Sequence, residues 1–163
     1  MKKHITITRK QGFTIVELLI VIVVIGILAA ITIVTFNGVQ NNAKFAREKA
    51  DMNAINKVIL LYYADNGFYP VKTSWSGWSQ ALNDNFIPGI VPKYISNTPQ
   101  MPATADTNES YLYRSTDGGT GYKLIRYSGT GGLPEAQLTN NALIDPIRTT
   151  RAWGYWSQTG ASI

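Results

Sequence analysis

Residues 13–36 constrain this chain more than any other part of it. From Phe13 to Phe36, 19 of 24 residues are apolar and Glu17 carries the only charge. At the standard helical rise the stretch measures about 36 Å, enough to cross a hydrocarbon core of roughly 30 Å. Lys2, Lys3, Arg9 and Lys10 stand just before it, which orients the N-terminus to the cytoplasm and everything after the span to the outside. A secretory signal would have an apolar region of roughly 7–15 residues and a small-x-small cleavage site behind it. Leu18–Val34 is longer than that and ends among bulky neighbours. A plain single-pass anchor explains the length and the flanking charge but leaves Glu17 unexplained. A carboxylate inside an apolar helix costs about 2.5–3.5 kcal/mol at the bilayer centre and is expected to have a partner.

Residues 11–17 read Gln-Gly-Phe-Thr-Ile-Val-Glu behind the basic leader, and residues 24–31 read Val-Ile-Gly-Ile-Leu-Ala-Ala-Ile. Together they resemble the class III signal peptide and helix of type IV prepilins and type II secretion pseudopilins. The resemblance is close over residues 9–31, looser to Pro70, and architectural beyond. It implies that a membrane-embedded aspartyl prepilin peptidase cuts between Gly12 and Phe13 and methylates the new amine of Phe13. A glycine at the cut suits a protease that must approach the backbone, since no Cβ obstructs it. Cleavage also removes four cations and leaves an ammonium about one helical turn from Glu17. The sequence allows Glu17 to pair with its own Phe13 amine or with that of a neighbouring subunit; the resemblance implies the second. Gly26 and Ala30 form a small-xxx-small pair that lets helices approach closely, although a tolerated membrane glycine reads the same way. Many pilins have a Pro where Val34 stands. Here the run from Ile31 to Thr35 is β-branched instead, with modest helix propensity.

Past Phe36 the pattern becomes amphipathic. Ala43, Ala46, Ala50, Ala54, Val58 and Leu61 recur at spacings of 3 and 4, with Ile55, Ile59 and Tyr62 widening the stripe near its end. The alanine half is too small to anchor a core and suits close packing against other helices, whereas the large second half is expected to carry the head. The charges of Lys44, Arg47, Glu48, Lys49, Asp51 and Lys57 are assigned to the remaining faces. Asn66-Gly67 ends the helix. Phe13 to Ala64 then reads as one helix of roughly 78 Å, with a break at Asn37-Gly38 as the alternative. The expected organisation is a leader (1–12), a transmembrane and filament-core helix (13–36), its amphipathic continuation (37–65) and a globular head (66–163). In the head, Trp75, Trp78, Ala81 and Leu82 suggest a short helix, and Val91–Ile95 an extended piece. Tyr111–Arg114 and Tyr122–Tyr127 read as strands joined by the glycine-rich turn Asp117–Gly121. Leu143-Ile144 or Ala152–Trp156 supplies a third. The fold class is α+β, a long N-terminal helix packed on a small antiparallel sheet, the pilin fold.

Inventory excludes several chemistries. There is no Cys, and the only His is His4 in the leader, so thiol nucleophiles, disulfides and His-based triads are unavailable. After Gly12, eleven Lys and Arg face ten Asp and Glu, which gives no support for nucleic-acid binding. The glycine clusters at 118–121 and 129–132 read as turns, because neither opens a helix with Lys-Ser/Thr. Asp106-x-Asn108-x-Ser110 imitates the start of a calcium loop, but Tyr111 stands where the turn glycine belongs and Asp117 where the bidentate Glu belongs. Some pseudopilins bind calcium in the C-terminal region, with Asp145 the nearest candidate here; no cofactor is expected. Asn108-Glu109-Ser110 matches a glycosylation sequon, without weight behind a bacterial-type leader. Trp153, Tyr155 and Trp156 read as core filling, or as a surface patch. Without Cys, packing by these aromatics must close a C-terminal loop that family members often close with a disulfide.

The expected function is structural and non-enzymatic. The chain reads as a core subunit of a type IV pilus, cut after Gly12 and polymerised through its N-terminal helix. The alternatives are a major pseudopilin of a type II secretion system and a monomeric, membrane-tethered binding module. The implied partners are identical subunits, the prepilin peptidase, an inner-membrane assembly platform with its cytoplasmic ATPase, and membrane lipid before assembly. The implied location is a single-pass membrane protein that ends at the cell surface.

Overall fold

A computed structural model describes residues 12–78, 85–101, 109–130, 132, 138 and 141–163. It forms two units, Met1–Asn41 and Asn42–Ile163. Helix α1, Ile15–Asn66, contributes to both, and its helical hydrogen bonding passes through Asn37 and Gly38 without a break. In the first unit every described side chain of the helix is exposed. The side chains at 33–35, Val34 among them, lie outside the described residues.

In the second unit α1 lies against a three-stranded antiparallel sheet in the order β1-β2-β3, with β1 Ser110–Ser115, β2 Tyr122–Tyr127 and β3 Ala152–Trp156. Register pairs Tyr113 with Leu124 and Leu124 with Tyr155, so alternate residues of each strand face the helix. The helix answers with Glu48, Met52, Ile55 and Ile59, all buried, flanked by Phe45 and Tyr62. The large second half of the predicted stripe meets the sheet through Ile55, Ile59 and Tyr62, while Ala43, Ala46, Ala50 and Leu61 are exposed and Ala54 and Val58 are half-buried. The face that buries most apolar area wins, and it also takes in Phe45, Glu48 and Met52, which the stripe left out.

Three sheet phenols cross the interface to polar helix side chains. Tyr111 donates to Asp51 at 3.2 Å, Tyr122 to Asn56 at 2.6 Å and Tyr155 to Asn53 at 2.5 Å. Burial pushes all three phenols above their ordinary range, so they stay protonated donors.

Of the two candidate third strands, Ala152–Trp156 is β3; Leu143-Ile144 is not a strand, since Leu143 ends a short 3-10 turn and Ile144 makes a single antiparallel bridge to Trp153. Trp153 is fully buried and packs on Phe45, with ring centroids 5.6 Å apart, while Tyr155 and Trp156 are half-buried. The free edge of β1 is covered by Ser76, whose backbone exchanges two hydrogen bonds with Tyr113 at 3.0 Å each. The described part of the segment predicted as a short helix, through Trp78, is therefore extended; Ala81 and Leu82 lie outside the described residues. Residues 91–95 are a turn, not an extended piece. The carbonyl of Ile90 accepts from Tyr94 and Ile95, and the Tyr94 hydroxyl donates to Asp65 at the end of α1. Gly119 (φ +67°) in the β1–β2 turn is strained by any side chain, since an added Cβ would lie 2.3 Å from the Tyr69 carbonyl oxygen.

Candidate processing and assembly site

Gly12, Phe13 and Thr14 precede the helix in non-helical backbone. Phe13 is 79% exposed, and nothing lies within 4 Å of where a Cβ on Gly12 would stand. Thr14 caps the helix. Its backbone N–H and its hydroxyl both donate to Oε2 of Glu17 at 2.8 Å, and the hydroxyl accepts from the Glu17 N–H at 3.2 Å. This Thr-x-x-Glu arrangement is a reciprocal capping box, which satisfies amides that a helix start otherwise leaves orphaned. Thr14 is the functional residue that the sequence reading missed. Its signal was the three-residue spacing to Glu17, overshadowed by the question of what a membrane carboxylate pairs with. In the uncut chain the Phe13 nitrogen is an amide, and Glu17 serves its own first turn.

Between Leu18 and Ile31 the helix offers no polar face. Residues from Leu18 to Ile31 are exposed apolar side chains except for Gly26, Ala29 and Ala30, which are exposed as well. Gly26 has no neighbour within 4 Å, and Ala30 follows one turn later on the same side. The Thr32 hydroxyl donates to the Leu28 carbonyl, which leaves that donor satisfied without water. An apolar surface this long must be covered by lipid or by other helices. It is the one described helix long and apolar enough to cross a membrane.

The second unit carries buried charges. Arg126 on β2 donates to Glu48 at 3.1 Å and to Glu109 at 2.7 Å, and Lys44 reaches Glu109 at 2.8 Å. Burial holds the Glu48 carboxyl above its ordinary range against the pull of Arg126. For Glu109 burial acts upward too, but the hydrogen bond from Lys44 and the charge of Arg126 outweigh it and hold the carboxyl low. On the other face of the sheet, burial draws the Lys123 ammonium below its ordinary range while Asp145 opposes it.

The remaining sequence candidates scatter. Ser110 opens β1, Tyr111 is buried in it, and Asp117 lies in the exposed β1–β2 turn. Leader residues 1–11, Asp106, Asn108 and Gly131 lie outside the described residues. Among the described residues no three His, Asp or Glu side chains gather as a metal would require.

Comparison with known proteins agrees with this geometry. The family model for the prokaryotic N-terminal methylation motif matches residues 7–33. The chain is 32% identical over 133 residues to the type II secretion system core protein G of Dickeya chrysanthemi, covering 78% of this chain and 82% of that one. It is 26% identical over 135 residues to the Escherichia coli protein of the same description, covering 81% and 91%. Over 74 residues it is 36% identical to the type IV major pilin protein PilA of Myxococcus xanthus, covering 45% and 31%. No solved structure matches the chain. With its long apolar helix, antiparallel sheet and methylation motif, the chain belongs to the family of type IV pilins and type II secretion pseudopilins. That family is structural, and its members assemble into filaments.

Proposed function

We propose that residues 13–163 are the mature core subunit of a helical filament, without catalytic activity, built by packing the N-terminal helices of identical subunits. The observation that carries this reading is the uninterrupted exposed apolar surface of α1 with Glu17 alone at its start. Lipid covers that surface before assembly, with the N-terminus in the cytoplasm, and neighbouring helices cover it afterwards. Prepilin peptidase cuts the exposed Gly12–Phe13 bond and methylates Phe13. The new Phe13 ammonium, an amide nitrogen in the precursor, then gives Glu17 an opposite charge. When that ammonium belongs to the adjacent subunit, every charge in the apolar interior is matched only in correct register, and an unmatched one costs several kcal/mol. Gly26 and Ala30 are where helices approach most closely. An inner-membrane platform driven by a cytoplasmic ATPase supplies the work of extraction.

Both filament types fit this reading, and our preference for the secretion pseudopilus rests on the longer likeness to core protein G, over 82% and 91% of two such chains, against 62% of the fimbrial protein EcpC of Eikenella corrodens and 31% of PilA. The test is the N-terminal sequence and mass of the protein from membranes and from sheared cell surfaces, beside a Gly12→Leu variant. A chain starting at Phe13 and one methyl group heavier than its sequence, lost in the variant, supports processing. Loss of enzyme secretion on deletion supports the pseudopilus, and abundant native surface filaments with secretion intact support the pilus. An uncut N-terminus held in the membrane would leave only the tethered binding module.

A further inference from the structure

The family likeness raises calcium in the C-terminal region, with Asp145 as its ligand, and the surroundings of Asp145 do not fit a metal. The carboxylate is completely buried. Its Oδ1 accepts from Lys123 Nζ at 3.2 Å and from the Ile147 N–H at 2.8 Å, and its Oδ2 accepts from Arg148 Nη1 at 3.0 Å. Two of the three donors are cations, so a divalent ion at either oxygen would stand against like charge. Calcium also wants six to eight oxygens at about 2.3–2.6 Å. Among the described residues Lys123 meets two, Asp145 Oδ1 and the Ala161 carbonyl at 2.8 Å, a number that suits an ammonium with three donors.

Lys123 is itself 0% exposed, on the face of β2 away from α1, with its ammonium 5.7 Å from the Trp156 ring centroid. Asp145 lies before β3 and Ala161 after it, so one side chain on β2 holds the chain on both sides of β3. Arg148 extends the grip by lying over Trp75, its guanidinium carbon 4.6 Å from the ring centroid. We infer that Lys123 is a resident cation, doing for the loop at Asp145 and the tail at Ala161 what a bound metal would do, so that closure of the C-terminal region is independent of calcium. A covalently attached cation needs no binding equilibrium and does not follow the calcium concentration outside the cell.

The test is thermal unfolding of the full chain in detergent, read by tryptophan fluorescence, in excess chelator and in millimolar calcium. The wild-type midpoint is expected to be the same in both. A fall of about 5 °C or more in chelator, the size that a saturated stabilising site produces, would overturn the inference whatever the variants do. Lys123→Met should open the C-terminal tail to protease and lower the midpoint in both solutions. Lys123→Met with Asp145→Asn should recover part of the loss, because the single variant leaves a fully buried carboxylate with Arg148, itself 26% exposed, as its remaining cation among the described residues. A Lys123→Met protein with wild-type midpoint and protease resistance would also overturn it.

Discussion

Arg126→Met tests the buried charge network that fastens the sheet to α1. In the native protein the guanidinium meets Glu48 and Glu109, and the Arg126 and Glu48 side chains are 4% and 2% exposed. Removing Arg126 leaves Glu109 its bond to Lys44 at 2.8 Å, but leaves Glu48 only Lys44 at 3.9 Å, a side chain 37% exposed and therefore weakly coupled. Glu48 becomes an uncompensated buried charge, for which the expected cost is about 3–5 kcal/mol. For a unit the size of Asn42–Ile163 that lowers the unfolding midpoint by about 12–20 °C. Burial already raises the Glu48 carboxyl above its ordinary range, and loss of Arg126 raises it further. The folded variant then holds a proton more tightly than the unfolded chain. Its deficit must therefore shrink as the pH falls from neutral toward the ordinary carboxylate range. Denaturation of the full chain in detergent, followed by fluorescence at several pH values, reads both effects. Arg126→Met with Glu48→Met should be more stable than Arg126→Met alone. A single-variant cost under about 1 kcal/mol, or a double variant no better than the single, would show that the network is not desolvated as the structure has it.

Met52→Ala and Ile55→Ala should each cost about 2–5 kcal/mol in the same assay, whereas Ala50→Ser, on the exposed face, should cost under about 0.5 kcal/mol. Thr14→Ala removes the two hydroxyl bonds of the capping box and keeps the backbone N–H bond to Glu17; it should speed amide exchange in the first turn of α1, by about 1 kcal/mol of local stability, with the head unchanged. Gly119→Ala forces a Cβ against the Tyr69 carbonyl at positive φ and should lower the midpoint, by about 1–3 kcal/mol. Gly26→Leu should leave the midpoint where it is and reduce recovery of assembled filaments, as counted in crosslinked membranes.

The parts of the fold that follow from period and punctuation were legible. The long apolar run, Asn66-Gly67 at the helix end, and the strands at Tyr111–Arg114 and Tyr122–Tyr127 all carry their signal locally. What escaped depends on pairing across the chain. Glu48, Lys123, Arg126 and Asp145 look like surface residues until Arg126 and Lys123 turn out to sit on opposite faces of one strand, each reaching a carboxylate far away in sequence. On the helix, Ile55 and Ile59 were legible as the part that carries the head, but Phe45 and Met52 escaped because Glu48 interrupts the apolar series between them. Residues 91–95 looked extended because Val and Ile favour strands; the hold of Tyr94 on Asp65 and Asn66 is non-local and overrides that preference. Thr14 differs, because its spacing to Glu17 was in plain view.

The three phenols that bridge sheet and helix also have a mechanical meaning. A purely greasy interface can creep, since one apolar contact exchanges for another as two surfaces slide. Tyr111, Tyr122 and Tyr155 engage Asp51, Asn56 and Asn53 at fixed positions along α1. A slip of one residue would turn the helix by about 100° and carry all three acceptors away from their donors together. Pull applied along the helix axis is thus shared in shear among several pins that must fail at once, and the head stays in step with the helix that carries it.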